Sequence, residues 1–440
     1  MTNNKNQSPF YSQLVQQLLP GLTVSFVAIS LGAAFGVLSG RGALAGILSA
    51  GVIALITAAF GGTRIQCSGP TAPMTAVTIL LVSAVGGGLL ADHPDVDPDR
   101  FINLVLLLTG AMLIVASLLR FGRFIKLIPK IVISGFMNGI ALLIWVGEFR
   151  SIFGIGGKTA YLGNVFVNLA IVLLTLSVIF TLPLLLRKVS DRLNSFFPAT
   201  LIAIVVVSTL SNLFGLDVQH VSLGGSIESL TDIKGLIVGQ LPTEWSLTLL
   251  ILAAPFVVQL AMLAYLDTLL TSLVVDRKVE IMHGRQDPTK PNQELCAQGI
   301  ANAAVSVFGG IPGAQATIRS VLILNEGATM RLAGVLVGIF VLIEMLMFQD
   351  LISLIPQAVF SGVLLKVGYD VFDWMPVRQY ISQLLQPSPA QLPPVGHSGM
   401  ALIAGTALLT VLVNLSVAVI VFTIIFYLAR KCCGIEDINT

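Results

Sequence analysis

One carboxylate, Asp267, stands inside a long apolar stretch of the sequence, and Thr271 follows it four residues later. Residues four apart share one face of a helix, so the carboxylate and the hydroxyl point to the same side. An ionisable side chain at this depth in an apolar segment is costly and marks a functional candidate. Carboxylate, hydroxyl and freed carbonyl oxygens are hard ligands that suit a hard cation such as Na⁺. The pair therefore predicts a cation site.

Two breaks rich in glycine and proline interrupt apolar segments elsewhere, at residues 61–75 and 308–320. Each break predicts a short extended piece followed by a helix that starts near a threonine, Thr71 in the first and Thr317 in the second. A helix start leaves backbone N–H groups unpaired and carries about half a positive charge. Two such starts in corresponding places favour an inverted-repeat transporter with an anion site between them. The alternative is a pair of ordinary packing kinks, since glycine and proline are common in membrane helices.

Arg319, just beyond the second break, has two roles open to it. It is either a positive charge that attracts the anion or the partner of Asp267 in a static ion pair, and both roles are compatible with different states. A bare carboxylate close to an anion repels it by on the order of a few kcal/mol in a poorly solvated cavity. Because Na⁺ or a proton on Asp267 removes this repulsion, we expect cation and anion to bind together.

The composition indicates that the lipid bilayer is the main solvent of this chain. Of its 440 residues, 55% are hydrophobic and 10% are charged, whereas soluble domains carry about 25% charged residues. The formal charge of +2 is too small to indicate a nucleic-acid partner. The four cysteines form neither a disulfide framework nor a zinc-binding spacing. Without a nucleophile elbow, a P-loop or a zinc-protease motif, the sequence predicts no enzyme and no cofactor, with Na⁺ only as coupling ion.

Apolar runs separated by short polar breaks predict an all-α polytopic membrane protein with fourteen transmembrane segments. The predicted segments are Pro20–Leu38, Ala43–Phe60, Thr71–Leu90, Phe101–Leu119, Leu127–Val146, Val165–Leu186, Pro198–Phe214, Leu247–Val275, Leu295–Phe308, Thr317–Glu326, Leu332–Phe348, Leu351–Val367, Gly399–Val413 and Leu415–Ala429. With the N-terminus in the cytoplasm, 17 of the 24 basic residues fall on the cytoplasmic side, which supports this topology. We therefore expect a multi-pass protein of the plasma (inner) membrane with both termini in the cytoplasm.

The predicted organisation is a cytoplasmic N-terminus (1–19), a transport domain (20–430) and a short cytoplasmic tail (431–440). The sequence also predicts where two further acidic residues lie. Glu148, at the end of a predicted span, is expected in a loop. Glu344 lies within an apolar run, where it would face lipid unless it turns toward the bundle, and it is a weaker site candidate.

Four motifs resemble, in the same order along the chain, those of the sulfate permease (SulP) family, the solute carrier 26 relatives. They are Cys67–Thr75, Ile128–Gly139, Phe308–Ser320 and Ile355–Leu364. The resemblance implies a UraA-like fold of two inverted seven-span repeats, about 20–214 and 247–430, with short extended pieces before spans 3 and 10. It also implies core and gate domains and, often, a dimer. Members normally carry a STAS domain after the last span, and we expect its regulation to be absent here or the domain to have been removed.

Within the family, Leu266–Ser272 and Gln298–Asn302 look most like the sodium-dependent bicarbonate transporters of cyanobacteria. This resemblance implies that the sodium-binding residues are Asp267, Thr271, Gln315 and Thr317. It implies that the anion-binding residues are Thr71, Ala316 and Thr317, to which the charge argument adds Arg319. Gln315 stands where that branch has glycine, which leaves the local backbone and the anion preference open.

The sequence thus predicts a secondary active transporter of a small inorganic anion, with Na⁺-coupled bicarbonate uptake by an elevator-type movement as the first expectation. Sulfate, nitrate or another oxyanion, with H⁺ coupling or none, is the first alternative. A non-transporting membrane scaffold is the second, although a scaffold would not need a buried carboxylate beside two broken helices. The expected partners are the anion, Na⁺ and the lipid bilayer, with a homodimer left open and no nucleic acid.

Overall fold

Helices make up most of the described chain. The computed structural model describes residues 16–127, 129–155, 161–189, 199–221, 238–243, 245–283, 287–385, 396–413 and 415–433. The elements are, in chain order, α1 (Leu18–Ser39), α2 (Ala43–Phe60), β1 (Ser68–Pro70), α3 (Ala72–Ala84, extended by a π-helical turn at Val85–Leu89), α4 (Pro98–Leu118), a 3₁₀ turn (Phe121–Leu127), α5 (Lys130–Phe153), α6 (Val165–Val189), α7 (Ala199–Leu213), α8 (Leu247–His283), α9 (Pro291–Val307), β2 (Gly313–Gln315), α10 (Thr317–Asn325), α11 (Arg331–Ser353), α12 (Gln357–Val371), α13 (Trp374–Leu385), α14 (His397–Leu412) and α15 (Leu415–Cys433).

The apolar runs of the sequence form helices as expected. Each of the fourteen predicted segments falls on one of the helices α1 to α12, α14 and α15. Among the described residues, eight helices are long and apolar enough to cross the roughly 30 Å hydrocarbon core of a bilayer. The full count of crossings, the repeat symmetry and the side of each terminus remain predictions, and residues 1–15 and 434–440 of the predicted terminal segments lie outside the described chain.

Two details differ from the sequence prediction. Glu148 does not lie in a loop: it is buried within α5, because that helix continues beyond Val146 to Phe153 and ends at the left-handed residue Gly154. The helix α13 was not predicted, since twelve residues that include polar side chains are too few and too polar for a span.

The helices pack into two groups. The first contains α1, α2, α3, α4, α8, α9, α10 and α11, and the second contains α5, α6, α7, α12, α14 and α15. Glycines bring backbones together in the first group: a Cβ at Gly46 of α2 would overlap the backbone of Gly32 and Gly36 of α1. Fewer contacts join the groups, mainly α1 with α7 and α12, and α3 with α5. The predicted core and gate domains remain a prediction, for which this division offers a physical basis.

The two predicted extended pieces form a small buried sheet. The strands β1 and β2 pair antiparallel, with Ser68 opposite Gln315, Gly69 opposite Ala314 and Pro70 opposite Gly313. All six residues are buried. Because each strand leads directly into a helix, the antiparallel pairing sends α3 and α10 away in opposite directions, with both N-termini directed back at the sheet.

Candidate functional site

The starts of α3 and α10 flank the strand pair, which is three residues and roughly 10 Å long. Thr71 and Ala316 occupy the N-cap positions in extended conformations, and neither helix has a side-chain capping bond from its N-cap residue among the described contacts. The sequence therefore placed the start of α3 correctly, but the Thr71 hydroxyl does not form the capping bond that its residue type favours. The first-turn N–H groups of both helices stay available to a ligand, and the partial positive charges of the two helix ends add together.

The helix α8 runs beside the second helix start and is tied to it by hydroxyl groups. Thr271 Oγ1 lies 2.6 Å from Thr317 Oγ1, so one hydroxyl donates to the other. One turn earlier, Thr268 Oγ1 accepts a 3.3 Å hydrogen bond from the backbone N–H of Gln315. Three of the four predicted sodium-binding residues, Thr271, Gln315 and Thr317, therefore lie together where α8 meets β2 and α10.

Asp267 lies on the same face of α8, one helical turn before Thr271. The residue is half-buried, while its Oδ2 atom is inaccessible. The Thr71 hydroxyl lies close to this carboxylate, yet neither Thr71 Oγ1 nor Asp267 Oδ2 has a hydrogen-bond partner within the described chain. Asp267 thus lies close to Thr71 from the first half of the sequence and one turn from Thr271, which contacts Thr317 of α10.

Arg319 brings the second charge to the site. Its side chain is buried, and its Nη2 donates a 2.9 Å hydrogen bond to the carbonyl oxygen of Pro70 at the end of β1. Gly69 leaves room for it, because a Cβ there would lie 2.8 Å from Arg319 Nη1. The static ion pair with Asp267 does not form: the two charges attract each other, but no nitrogen and oxygen approach within 4.0 Å. Arg319 therefore keeps N–H groups for another partner.

Unpaired polar atoms concentrate in this region. Within the described chain, the buried side-chain atoms without a hydrogen-bond partner include Thr71 Oγ1, Asp267 Oδ2, Gln315 Nε2, Arg319 Nε and Arg319 Nη1. Buried polar groups are normally paired, and a group of exceptions calls for a ligand or a functional explanation. Donors from Arg319 and the helix starts suit an anion, whereas Asp267 with neighbouring hydroxyls suits a hard cation. The described parts of the chain contain no group of three or more His, Cys, Asp or Glu residues that could hold a metal ion.

Comparison with known proteins identifies the family of this chain. The sequence matches the model of the sulfate permease family over residues 14–384. The chain belongs to the sulfate permease family. It is 30% identical over 414 residues to the bicarbonate transporter BicA of Picosynechococcus sp., and the match covers 91% of this chain and 67% of that protein. The chain thus spans about two thirds of the length of this relative.

Two other matches concern a second sequence relative of this sulfate permease family member and a solved structure. It is 26% identical over 428 residues to the putative sulfate transporter YvdB of Bacillus subtilis, with 94% of this chain and 74% of that protein covered. The structure superposes on the transmembrane domain of a cyanobacterial bicarbonate transporter BicA with a TM-score of 0.75 at 28% identity. That match covers 93% of this chain and 98% of the other. The fold is therefore that of a helical membrane domain of an anion transporter family.

The residues that hold the strand pair in place were not recognised as such from the sequence. Gln298 and Asn302, four residues apart on α9, contact one strand each. Gln298 Nε2 donates a 2.7 Å hydrogen bond to Ser68 Oγ of β1. Asn302 and Gly313 of β2 exchange two hydrogen bonds of 2.9 Å, in which the Asn302 amide donates to the Gly313 carbonyl and its oxygen accepts from the Gly313 N–H. One face of α9 thus fixes both strands of this sulfate permease family member.

A buried carboxylate on the same helix, α9, also stabilises this arrangement. Glu294, one turn before Gln298, accepts hydrogen bonds of 2.9 Å from the Thr63 N–H and from Gln66 Nε2. Its second oxygen accepts a 3.1 Å bond from Gln298 Nε2. A buried charge is tolerated only when it is well paired. The partners of Glu294 include Thr63 and Gln66, so these bonds fix the segment that leads into β1. The spacing of Glu294, Gln298 and Asn302 at four-residue intervals in an apolar helix was the signal available in the sequence.

Proposed function

We propose that this member of the sulfate permease family transports a small inorganic anion together with Na⁺, with bicarbonate as the first candidate. The observation that carries the proposal is the meeting of two uncapped helix starts and the buried Arg319 with the carboxylate of Asp267. Such a site offers donors to an anion and oxygen ligands to a hard cation within one small volume. The multi-pass membrane fold supplies the setting in which both ions cross a bilayer.

Electrostatics links the two ions. Two like unit charges about 4 Å apart repel each other by about 4 kcal/mol at an effective dielectric constant of about 20. This energy corresponds to a change of roughly a thousandfold in affinity. A Na⁺ ion on Asp267, Thr271, Thr317 and the backbone at Gln315 would cancel that repulsion, so the anion binds well only when the cation is present. Thr71, Ala316, Thr317 and Arg319 are the groups that would contact the anion.

Bicarbonate is placed first because BicA relatives match this chain over most of its length. Sulfate is the second candidate, because the match to the putative sulfate transporter YvdB covers an even larger share of the chain. Movement of the first helix group, which carries the strand pair, past the second group would expose the site alternately to the two sides of the plasma (inner) membrane. This elevator-type movement is part of the proposal.

The test uses the purified chain in proteoliposomes at a mildly alkaline pH. We expect uptake of labelled bicarbonate under an inward Na⁺ gradient and little uptake when choline replaces Na⁺. Unlabelled bicarbonate, sulfate and nitrate are then compared as competitors, and the strongest competitor identifies the preferred anion. Uptake that is equal in Na⁺ and choline would refute sodium coupling. No uptake of labelled bicarbonate, sulfate or nitrate, each tested in the same way, would refute transport and favour a membrane scaffold.

A further inference from the structure

A second carboxylate, Glu344, is buried in the membrane domain away from the strand pair. It lies on α11 with 6% of its surface exposed, and its Oε1 accepts a 2.6 Å hydrogen bond from Ser25 Oγ of α1. Its other oxygen, Oε2, has no hydrogen-bond partner in the described chain. The sequence left open whether this residue faces lipid or the bundle, and the structure shows that it faces the bundle. A carboxylate buried this far is costly unless a partner reaches it.

Glu344 lines a cavity of about 370 Å³. The cavity is mainly apolar, with Phe26, Ile47, Val205, Phe348 and Phe360 among its lining residues. Ser208 of α7 also lines it, and its buried hydroxyl likewise lacks a partner in the described chain. Glu344 is the only ionisable side chain among the described lining residues. The cavity therefore combines an apolar wall with one uncompensated acidic group and one free hydroxyl.

The cavity lies between the two helix groups. Its walls come from α1, α2 and α11 of the first group and from α7 and α12 of the second. Its volume is within the usual range of small-molecule pockets, about 300–1,000 Å³. A molecule that fills it would contact both groups at once.

We propose that this cavity binds a small apolar molecule that carries one protonated amine, with Glu344 as its counter-ion. The ammonium group donates hydrogen bonds to Glu344 Oε2 and to the Ser208 hydroxyl, and the hydrocarbon part packs against the aromatic and aliphatic wall. A simple inorganic cation would leave most of the apolar wall unfilled, and an anion would be repelled by the carboxylate. The class of ligand is therefore an amphiphilic amine.

The position of the site predicts its effect. A ligand that bridges α11 and α7 opposes any displacement of one helix group against the other. This consequence rests on the proposed elevator movement, under which the amine inhibits anion uptake without competing with the anion. Binding itself does not depend on the proposed function, so the two ideas can fail separately.

The experiment measures binding first, with the full chain in lipid nanodiscs and empty nanodiscs as the blank. The probe is labelled 3-phenylpropan-1-amine, and 3-phenylpropan-1-ol is its neutral counterpart. We expect saturable amine binding that weakens at least tenfold in Glu344→Gln, and much weaker binding of the alcohol. The matched control is Glu148→Gln, which neutralises a buried carboxyl group on α5 that does not line the cavity; it should bind the amine like the native chain.

Ser208→Leu provides an independent variant, since it fills the cavity and keeps the carboxylate. It should abolish amine binding even if Glu344→Gln folds poorly. Equal affinities for amine and alcohol, or amine binding unchanged in Ser208→Leu, would overturn the proposal. Inhibition of uptake is then measured in proteoliposomes. Amine binding without inhibition would leave the site in place and refute its bridging effect.

Discussion

Asn302 and Gly313 exchange two hydrogen bonds, each 2.9 Å long, between the middle of α9 and the start of β2. The amide side chain thereby satisfies both backbone groups of a buried residue in a strand that has only one neighbouring strand. Through this contact the second helix start is attached to a rigid helix rather than to a loop. The finding leads directly to the first prediction.

Replacing Asn302 with leucine should destabilise the protein and abolish transport. The change leaves the N–H and C=O groups of Gly313 buried and unpaired, at a cost of about 1–3 kcal/mol for each group. Thermal unfolding in detergent and anion uptake in proteoliposomes measure the two effects. Asn325→Ala is the control, because Asn325 is exposed at the end of α10, and it should change stability by less than about 0.5 kcal/mol. Native stability and uptake in Asn302→Leu would contradict the structural role of this contact.

Asp267→Asn should separate anion binding from its dependence on sodium. The substitution removes the negative charge but keeps the size of the side chain, so the anion is no longer repelled when Na⁺ is absent. We expect the affinity for the anion to lose its Na⁺ dependence, which under the proposed function would be as much as roughly a thousandfold in the native chain. Labelled anion binding at several Na⁺ concentrations measures this. A variant that keeps the native Na⁺ dependence would show that the cation binds elsewhere.

Thr271→Val should weaken the apparent affinity for Na⁺ more than it lowers the maximal uptake rate. Valine has a similar shape but lacks the oxygen that lies 2.6 Å from Thr317 Oγ1, so one candidate ligand is lost. Thr271→Ser should restore much of the affinity, because it returns the hydroxyl. The control is Thr181→Val on α6, whose hydroxyl bonds only to Ser177 of its own helix. Uptake measured against Na⁺ concentration distinguishes these variants, and equal Na⁺ affinity in Thr271→Val and the native chain would exclude Thr271 as a ligand.

Gly69→Ala should reduce anion binding by displacing Arg319. The added Cβ would lie 2.8 Å from Arg319 Nη1, so the guanidinium group has to move away from the Pro70 carbonyl. Gly147→Ala on α5 is a suitable comparison, since no atom of the described residues lies within 4 Å of the added Cβ and alanine favours a helix over glycine. Anion affinity measured for both variants tests the idea. Equal affinities would show that the position of Arg319 does not matter for the anion.

The sequence contained enough information to select residues that the structure brings together in the candidate site. Asp267 is conspicuous because charge is rare in apolar segments, and Thr71 and Thr317 follow breaks whose glycines and prolines have clear local effects. The helices themselves followed from apolar runs, and the extended pieces proved to be the strands β1 and β2. All of these features are local, so they leave a direct trace in the residue order.

The parts that escaped prediction depend on contacts between distant segments. The hydrogen bond between Gln298 and Ser68 joins residues 230 positions apart. A periodic pattern in the sequence does not indicate which polar side chain contacts which strand. The direction of Glu344 was equally undetermined, because a single acidic residue in an apolar helix does not reveal which neighbour it faces. Glu148 was misplaced for a related reason: the span end was set by hydropathy, whereas the real helix end is set by Gly154.

The strand pair also constrains when the candidate site can assemble during folding. Arg319 and Pro70, which it brings together, are 249 positions apart in the chain, so closing this contact requires an unusually long loop. During synthesis, β1 and the start of α3 are made long before β2 and α10. Until then, their polar groups lack the partners that they have in the complete protein. Under the proposed function, ion binding should therefore appear late in biogenesis, only after α10 has been inserted.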